Sequence, residues 1–357
     1  MIILGVTTPG IERLACEETA RLLEEAGFEV VLQQGRALDV PGWIRLEVRE
    51  EVEPQAWLES GPLMQSHSLY RVSIYRATLD WDGRTLESLL DAARATPLPE
   101  LETAASFRVT CHRAGDHRFQ SPEVEREVGA VYHKRYQTPA RMREYELRVV
   151  IEIHERTAVI GYSLIRSKGL DRRYAWAYHP RITLRTTIAW AMLTHAGYVA
   201  APGSLLDPCC GAGTILLEGA LLAAPVPALV GSDRDESAVE GARANLEANG
   251  VTAARVSLRD LNELKPHLKA GEFRYIVTNP PYGARIGKRI DFHFLYQNLL
   301  AIASHALEPG GRIALLVERK QGAFEDVRKG FTKLIDHTRV RLSVGGLAPV
   351  LVVLERR

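Results

Sequence analysis

Hydrophobic and polar positions in the first eighty residues follow a pattern that predicts a small α+β domain. Apolar or alternating runs with the period of strands lie at 2–6, 28–32, 43–48 and 70–77. Between the first two runs, apolar residues recur at helical spacing over 11–26, and a second short helix is predicted from Pro54. The order βαββαβ is typical of a ferredoxin-like split sandwich, so residues 1–80 are expected to form an N-terminal domain of this kind.

Residues 81–163 show a different pattern, which predicts a second α+β domain. Helices are predicted at 85–94 and at 122–135, the latter after a Ser121 cap. Strands are predicted at 106–111, 146–153 and 157–162. The turn at 112–119 is crowded with hydrogen-bond donors. Residues 164–180 are interpreted as a linker.

From residue 181 to 357, apolar strands alternate with amphipathic helices. Strands are predicted at 204–206, 228–232, 255–258, 274–278, 312–317, 333–343 and 347–354. Helices are predicted at 183–196, 214–223, 236–249 and 292–306, and one more precedes the last two strands. This alternation predicts an α/β domain of the Rossmann type, with a mostly parallel sheet and helices on both faces. The last two strands suit an antiparallel addition at one edge.

The composition limits the class of protein. The 357 residues are 46% hydrophobic and 25% charged, which is typical of a globular chain with two or three domains. No apolar run approaches the roughly 18 residues of a membrane span, and the N-terminus has no signal-peptide pattern. The four cysteines show neither a CxxC pair nor the spacing of a zinc site. We therefore expect a cytoplasmic monomer with reduced thiols, without a metal and without membrane contact.

The net charge of +1 conceals an uneven distribution of charge. Residues 103–181 carry 15 Lys and Arg against 9 Asp and Glu, a local excess that can attract phosphates. Aromatic residues are interleaved with these cations near the predicted linker, and the combination suits RNA, whose bases stack on rings. The predicted RNA-binding residues are Arg113, His117, Arg118, Lys168, Arg172 and Arg173. An aromatic linker packed between two domains explains the same segment equally well.

A glycine loop follows the strand predicted at 204–206. Asp207 stands at the carboxyl end of that strand, and Gly211 and Gly213 precede the next helix. A dinucleotide site would need a third glycine where Leu216 stands, and the charge of Asp207 would repel a pyrophosphate. The carboxylate instead suits the cationic methionine part of S-adenosylmethionine, because it attracts the ammonium and sulfonium groups.

Two further acids follow the next two strands. Asp233 is placed to hold both hydroxyls of a ribose. Asp260 is placed to meet an adenine amino group, and Leu261 to contact the face of the ring. Each acid taken alone is explained as well by a helix cap or a surface charge. Their combination with the motif after the fourth strand favours a nucleoside site.

The motif after the fourth strand is Asn279-Pro280-Pro281-Tyr282. Prolines restrict the backbone, so the Asn279 side-chain carbonyl and the Pro280 main-chain carbonyl can be held rigidly outward. These two oxygens can accept both N–H bonds of an exocyclic amino group while Tyr282 stacks on its ring. Holding both hydrogens aims the nitrogen lone pair at a methyl donor and stabilises the positive charge that develops.

This constellation resembles the amino-methyltransferases with an (Asn/Asp)-Pro-Pro-(Tyr/Phe/Trp) motif. Upstream, 106–109 (Ser-Phe-Arg-Val) and 115–119 (Gly-Asp-His-Arg-Phe) resemble a THUMP domain, an RNA-binding module of tRNA-modifying enzymes, which we assign to 81–163. Over nearly its full length the chain is similar to the tRNA guanine-N2-methyltransferases of the TrmN type. The resemblance implies S-adenosyl-L-methionine as cofactor and tRNA as partner. It further implies methylation of guanosine 6 in the acceptor stem.

The resemblance also implies the residues of the site. The catalytic residues would be Asn279, Pro280, Pro281 and Tyr282. A stretch beginning at His179 matches the part of the family that closes over the methionine moiety. The cofactor-binding residues would be His179, Pro180, Thr183, Asp207, Cys210, Gly211, Gly213, Thr214, Asp233, Arg234, Asp260, Leu261 and Asn279.

Several other functions remain open on the residues alone. The motif also occurs in enzymes that methylate guanine 10 of tRNA, ribosomal guanine, DNA adenine or a protein glutamine amide. An RNA-binding protein with a vestigial Rossmann domain would need no turnover. A NAD-dependent oxidoreductase is disfavoured by Leu216 and Asp207, for the reasons given above.

Overall fold

Two seven-stranded sheets organise the chain, one in each of the units Met1–Leu170 and Asp171–Arg357. The computed structural model describes residues 1–50, 61–163, 170, 173–180, 183–281, 290–318 and 321–357. The helices and strands of the two units lie within these residues. The short helix predicted from Pro54 lies outside them.

The first unit begins with the predicted ferredoxin-like pattern and continues directly into the second α+β pattern. Its strands are β1 (Ile2–Thr7), β2 (Val30–Gly35), β3 (Trp43–Val48), β4 (Leu69–Thr78), β5 (Phe107–Ala114), β6 (Leu147–His154) and β7 (Thr157–Ser163). Its α-helices are α1 (Glu12–Glu25), α2 (Leu86–Ala95), α3 (Glu100–Thr103) and α4 (Ser121–Tyr136), and two short 3-10 turns lie at Ala37–Asp39 and Pro62–Gln65.

One continuous sheet joins the two patterns of this unit. The strand order is β2-β3-β1-β4-β7-β6-β5, and β4 pairs with β7 in antiparallel register, for example Ile74 with Tyr162. Alternate residues of the strands, such as Ile74, Ile151 and Ile160, are fully buried in one cluster that also contains apolar residues of α1, α2 and α4. The segments predicted as 1–80 and 81–163 therefore share a sheet and a core.

The cap of α4 differs from the prediction. Gln120, not Ser121, is the N-cap: its main-chain carbonyl accepts from the amide of Glu123 at 3.1 Å, and the Glu123 carboxylate accepts from the Gln120 amide at 2.6 Å. Pro122 occupies the first turn, where its missing N–H costs nothing. The prediction was wrong because a glutamine cap is weaker as a sequence signal than a serine one.

The second unit has the predicted alternation of strands and helices. Its strands are β8 (Leu205–Asp207), β9 (Leu229–Asp233), β10 (Ala254–Leu258), β11 (Phe273–Thr278), β12 (Leu307–Val317), β13 (Leu334–Arg341) and β14 (Val350–Arg356). Its α-helices are α5 (Thr186–Ala196), α6 (Thr214–Leu221), α7 (Glu236–Ala248), α8 (Leu261–Leu264), α9 (Phe292–Ala306) and α10 (Gln321–Arg328), with a 3-10 turn at Lys265–His267.

The strand order of this sheet is β10-β9-β8-β11-β12-β14-β13. The five strands from β10 to β12 pair in parallel, and β14 pairs antiparallel with both β12 and β13. The chain runs outward from β8 to β10 on one side and from β11 to β12 on the other. The order therefore reverses between β8 and β11, which is where open α/β sheets bind their ligands.

Two boundaries in this unit differ from the sequence pattern. Helix α5 begins at Thr186 rather than at 183, with Arg185 as its N-cap, so Thr183 precedes the helix. Strand β12 begins at Leu307, five residues before the predicted start, because Leu307 pairs with Phe273 across a register irregularity. Periodicity alone cannot report such a pairing.

Candidate active site

The carboxyl ends of β10, β9, β8 and β11 lie side by side and carry the polar residues of the four motifs. In register, Leu258 lies opposite Asp233, Asp207 opposite Gly231, and Leu206 opposite Ile276. Asp260 and Asn279 follow the outer two of these strands. The sheet thus brings together, along one edge, residues that are up to 72 positions apart in the chain.

Asp207 lies at the reversal point and is almost completely buried, with 1% of its surface exposed. Its Oδ1 accepts from the Thr278 hydroxyl at 2.8 Å and from the Cys209 amide at 3.2 Å. Burial raises the pKa of Asp207 to about 7; these two hydrogen bonds oppose the shift, and the nearby charge of Asp233 adds to it. Within the described residues, Oδ2 has no hydrogen-bond partner. The carboxylate therefore retains an acceptor.

The loop between β8 and α6 is held in a shape that suits a ligand. Gly213, the N-cap of α6, has φ +81°, and its amide donates to the Cys210 carbonyl at 2.8 Å. Gly211 has φ +50°, and an added Cβ there would meet no atom within 4 Å, so the space beside it is open. Cys210 and Thr214 are buried in the same turn, and the Cys210 amide donates to the Ser232 carbonyl at 2.9 Å.

Asp233 links the glycine loop to β9. Its Oδ2 accepts from the Gly211 amide at 2.9 Å, and its Oδ1 accepts from the Asp235 amide at 3.1 Å. Each carboxylate oxygen has a further lone pair, so both remain able to accept from a hydroxyl. Asp233 is partly exposed and the neighbouring Arg234 is exposed. The predicted role in holding a ribose fits this geometry.

Asp260 and Leu261 are both partly buried at the end of β10. Asp260 is the N-cap of α8 and accepts from the Asn262 amide at 3.0 Å. The helix cap that competed with the functional interpretation is therefore present. A capping carboxylate still has an oxygen available, so the two roles are compatible.

Asn279 and Pro281 are partly buried after β11, and Pro280 is buried. The residue before them, Thr278, is fully buried and connects β11 to β8 through its bond to Asp207. Sequence reasoning missed Thr278, although its position directly before the motif was a signal for it. Tyr282, the fourth predicted catalytic residue, lies outside the described residues.

The segment before α5 carries the remaining predicted cofactor residues. His179 is exposed and packs edge-on against Trp176, with ring centroids 5.6 Å apart. Pro180 and Thr183 are partly buried, and the Thr183 hydroxyl donates to the Pro180 carbonyl at 3.1 Å. The segment is attached to α7 by Asn245, which sequence reasoning also missed.

The predicted RNA-binding residues differ in how exposed they are and in whether their side chains already bond within the protein. Arg113 donates to the Gly115 carbonyl at 2.9 Å and to His117 Nδ1 at 3.0 Å. His117 is 9% exposed and its Nε2 donates to the Glu155 carbonyl at 2.7 Å, so both residues shape the loop. Arg118, between His117 and the buried Phe119, is exposed and makes no ion pair or hydrogen bond with the described residues.

Arg173 is engaged inside the second unit. Its guanidinium donates to Glu218 at 3.0 Å, and Glu218, on α6, is fully buried and also accepts from the Tyr174 hydroxyl. This pairing argues against a phosphate contact for Arg173, because breaking it would leave a buried carboxylate unpaired. Lys168 and Arg172 lie outside the described residues.

Two features, a metal-binding cluster and a membrane-spanning helix, are absent from the described part of the chain. No cluster of three or more His, Cys, Asp or Glu side chains is arranged to hold a metal ion. No helix has both the length and the apolar character needed to cross a membrane.

A sheet of this order with a glycine loop after β8 is the fold of the class I methyltransferases, and Asn-Pro-Pro after β11 is the motif of the amino-methyltransferases. Comparison with family models agrees: residues 173–344 match an RMKL-like methyltransferase domain, and residues 83–162 match a THUMP domain. The chain belongs to the family of THUMP-domain tRNA guanine-N2-methyltransferases of the TrmN type.

Three relatives support this membership. The tRNA (guanine(6)-N2)-methyltransferase of Thermus thermophilus is 35% identical over 100% of both chains. The tRNA (guanine(6)-N(2))-methyltransferase THUMP3 of Bos taurus is 31% identical over 78% of this chain and 57% of that protein. The crystal structure of TrmN from Thermus thermophilus covers 100% of this chain and 99% of its own, with a TM-score of 0.73 and 30% identity.

Proposed function

We propose that this protein transfers a methyl group from S-adenosyl-L-methionine to N2 of guanosine 6 in the acceptor stem of tRNA. The observation that carries the proposal is the sheet edge where the buried Asp207, the open glycine loop and Asn279-Pro280 meet at the reversal point. The full-length similarity to a guanosine-6 enzyme supports the choice of nucleotide. Cytoplasmic location and a monomeric state remain our predictions.

The residues of this edge fit the cofactor. Asp207 keeps an oxygen without a partner among the described residues, the space beside Gly211 is open, and Asp233 keeps acceptors for ribose hydroxyls. Asp260 and Leu261 would contact the adenine. When bound, S-adenosylmethionine supplies an electrophilic methyl carbon on a sulfonium.

The chain's own contribution to transfer lies at the end of β11. The Asn279 side-chain oxygen and the Pro280 carbonyl would each accept one N–H of the guanine amino group. This arrangement keeps the nitrogen lone pair out of the ring and directs it toward the methyl carbon. The amino proton becomes acidic once the nitrogen is methylated, so water suffices to accept it. Because a paired guanine cannot reach such an edge, the base must be extruded from the stem.

The decisive experiment is methylation of unmodified tRNA transcripts with labelled S-adenosylmethionine, followed by nuclease digestion and mass spectrometry. We expect N2-methylguanosine at position 6, and no product from a transcript in which adenosine replaces guanosine 6. A product only at guanosine 10, or only in ribosomal RNA fragments, would assign a different acceptor to the same chemistry. Binding of tRNA and cofactor without any product would identify an RNA-binding protein instead.

Asp207 should make cofactor affinity depend on pH. Its pKa is raised to about 7, and only the ionised carboxylate attracts the ammonium of the ligand. We therefore expect the affinity for S-adenosylhomocysteine to rise about tenfold from pH 6 to pH 8. Calorimetric titration measures this directly. In the control variant Asp207→Asn the affinity should be weaker and nearly independent of pH over this range; an equal slope in both proteins would contradict the prediction.

The same group affects the stability of the ligand-free protein with the opposite sign. A carboxyl whose pKa is raised on folding stabilises the folded state below the unfolded-state pKa of 3.8, and that contribution is lost as the pH rises through about 7. We expect the midpoint of chemical unfolding to fall across this window more steeply in the natural protein than in Asp207→Asn. If the unfolding midpoint of both proteins depends on pH in the same way, the pKa of Asp207 is not raised by folding.

Arg118 should contribute to tRNA binding through its charge. It is exposed and makes no internal ion pair with the described residues, so Arg118→Ala should weaken tRNA binding and lower the salt slope by about one. Fluorescence anisotropy at several salt concentrations provides the measurement. Arg21→Ala, which removes an exposed arginine from α1, is the control and should leave the slope unchanged. If the two variants behave alike, the RNA surface lies elsewhere.

A further inference from the structure

Two asparagines, Asn245 in α7 and Asn249 as its C-cap, hold the backbone of residues 173–180, here called the entry segment. Asn245 Oδ1 accepts from the Tyr178 amide at 2.7 Å, and its Nδ2 donates to the Tyr178 carbonyl at 2.8 Å. Asn249 makes the same pair with Ala175, at 3.0 and 2.8 Å. The two asparagines are four residues apart and therefore share a face of the helix. Each asparagine side chain thus bonds to both the main-chain N–H and the main-chain carbonyl of one residue.

Asn245 also contacts the glycine loop, whereas Asn249 does not. Its Nδ2 also donates to the Ala212 carbonyl at 3.0 Å, between Gly211 and Gly213. Since a peptide unit is planar, holding the Ala212 oxygen also orients the Gly213 N–H, which closes the turn onto Cys210. Asn245 is fully buried, and its one acceptor and two donors are all used.

Neighbouring residues of α7 shape the same face. An added Cβ at Gly241, one turn before Asn245, would lie 2.0 Å from the Tyr178 ring, so the ring occupies the place of a side chain. An added Cβ at Gly213 would lie 3.4 Å from Ala242, so the loop also rests on this helix. The entry segment and the glycine loop therefore pack against a single face, and Asn245 bonds to both.

We infer that Asn245 is a positioning residue for the cofactor site. One buried amide sets the distance between the glycine loop and Tyr178, after which the chain continues into His179 and Pro180. Those two residues are predicted to close over the methionine moiety, so the inference rests on the proposed function. Asn249 holds the same segment without contacting the loop, which makes it a matched control.

The test compares Asn245→Ala with Asn249→Ala. Both variants lose a two-bond grip on the entry segment, and we expect both to lower the melting temperature by similar amounts. Asn245→Ala also leaves the buried Ala212 carbonyl without its donor, so the Kd for S-adenosylhomocysteine and the KM for S-adenosylmethionine should rise about tenfold. For Asn249→Ala the rise should stay below about threefold. At saturating cofactor, kcat should change little in either protein.

A further variant removes the contact to the glycine loop and keeps one of the two contacts to the entry segment. Asn245→Asp keeps the oxygen that accepts from Tyr178 but loses both donors, so its KM should resemble that of Asn245→Ala. If Asn245→Ala does not fold, Asn245→Asp is compared with Asn249→Asp in its place, because Asn249→Asp loses its donors to the entry segment and has no contact to the glycine loop to lose.

Two outcomes would overturn the inference. One is an equal rise in KM for Asn245→Ala and Asn249→Ala, which would show that anchoring the segment is all that matters. The other is an unchanged Kd in Asn245→Ala. Failure of the proposed function is distinguishable from both, because it would appear in the natural protein itself, as absent cofactor binding or as absent methylation of guanosine 6.

Discussion

Replacing Asn279 by alanine should lower turnover steeply while leaving tRNA affinity nearly intact. The side-chain oxygen is proposed to hold an amino hydrogen most strongly when positive charge develops on the nitrogen, so its loss raises the barrier more than it weakens binding. Removing one preorganised polar partner of this kind lowers kcat on the order of 10²–10³-fold. Single-turnover kinetics with saturating cofactor, together with a tRNA-binding isotherm, separate the two effects.

Asn279→Asp is the matched variant for this experiment. It keeps a side-chain oxygen at the same distance from the backbone, and aspartate occurs at this position in the wider motif, so measurable turnover should return. A normal single-turnover rate in Asn279→Ala, combined with lost tRNA binding, would contradict the proposed role. Such a result would make Asn279 an RNA-contacting residue rather than a catalytic one.

Glu218→Ala should be the most destabilising single substitution among those considered. Glu218 is fully buried, and it pairs with Arg173, of which 17% is exposed, and with the Tyr174 hydroxyl. Burial and the charge of Glu218 raise the pKa of Tyr174, so the phenol remains a donor. Removing the carboxylate takes away the negative charge of Glu218 that faces a largely buried guanidinium, at a cost of about 3–5 kcal/mol. Chemical denaturation of the ligand-free protein measures the loss.

The control for this prediction replaces all three partners. With Arg173→Met, Tyr174→Phe and Glu218→Leu combined, the cluster no longer holds a buried charge, so the loss of unfolding free energy should be smaller than in Glu218→Ala alone. If the triple variant is the less stable protein, the cluster contributes favourable energy of its own. Arg173→Met should also leave the salt slope of tRNA binding unchanged, because its charge is neutralised within the unit.

The family, the fold class and the enzyme class were predictable from the sequence and are confirmed. Their signals are local: a glycine loop and an Asn-Pro-Pro motif each occupy a few consecutive residues, and strand–helix alternation is a periodic pattern. The positions of Asp207, Asp233 and Asn279 at strand ends followed for the same reason. Their assignment to cofactor and substrate stays a prediction.

Tertiary structure decided what each polar residue contacts. Arg113, Arg118 and Arg173 are chemically identical in the sequence, yet only Arg118 is exposed without an internal partner in the described structure. Burial likewise raises the pKa of Asp207 to about 7, and the sequence, which placed this residue at a strand end, did not give its burial.

The amino-acid sequence by itself determined where strands end, which chemistry stands at those ends, and therefore which family the chain belongs to. It did not determine that Thr278 bonds to Asp207, or that Asn245 joins the glycine loop to Tyr178. The physical reason is the separation of the interacting residues along the chain. Periodicity and motifs report interactions between residues close in the chain, whereas hydrogen bonding across 33 to 71 positions depends on how the sheet and helices pack.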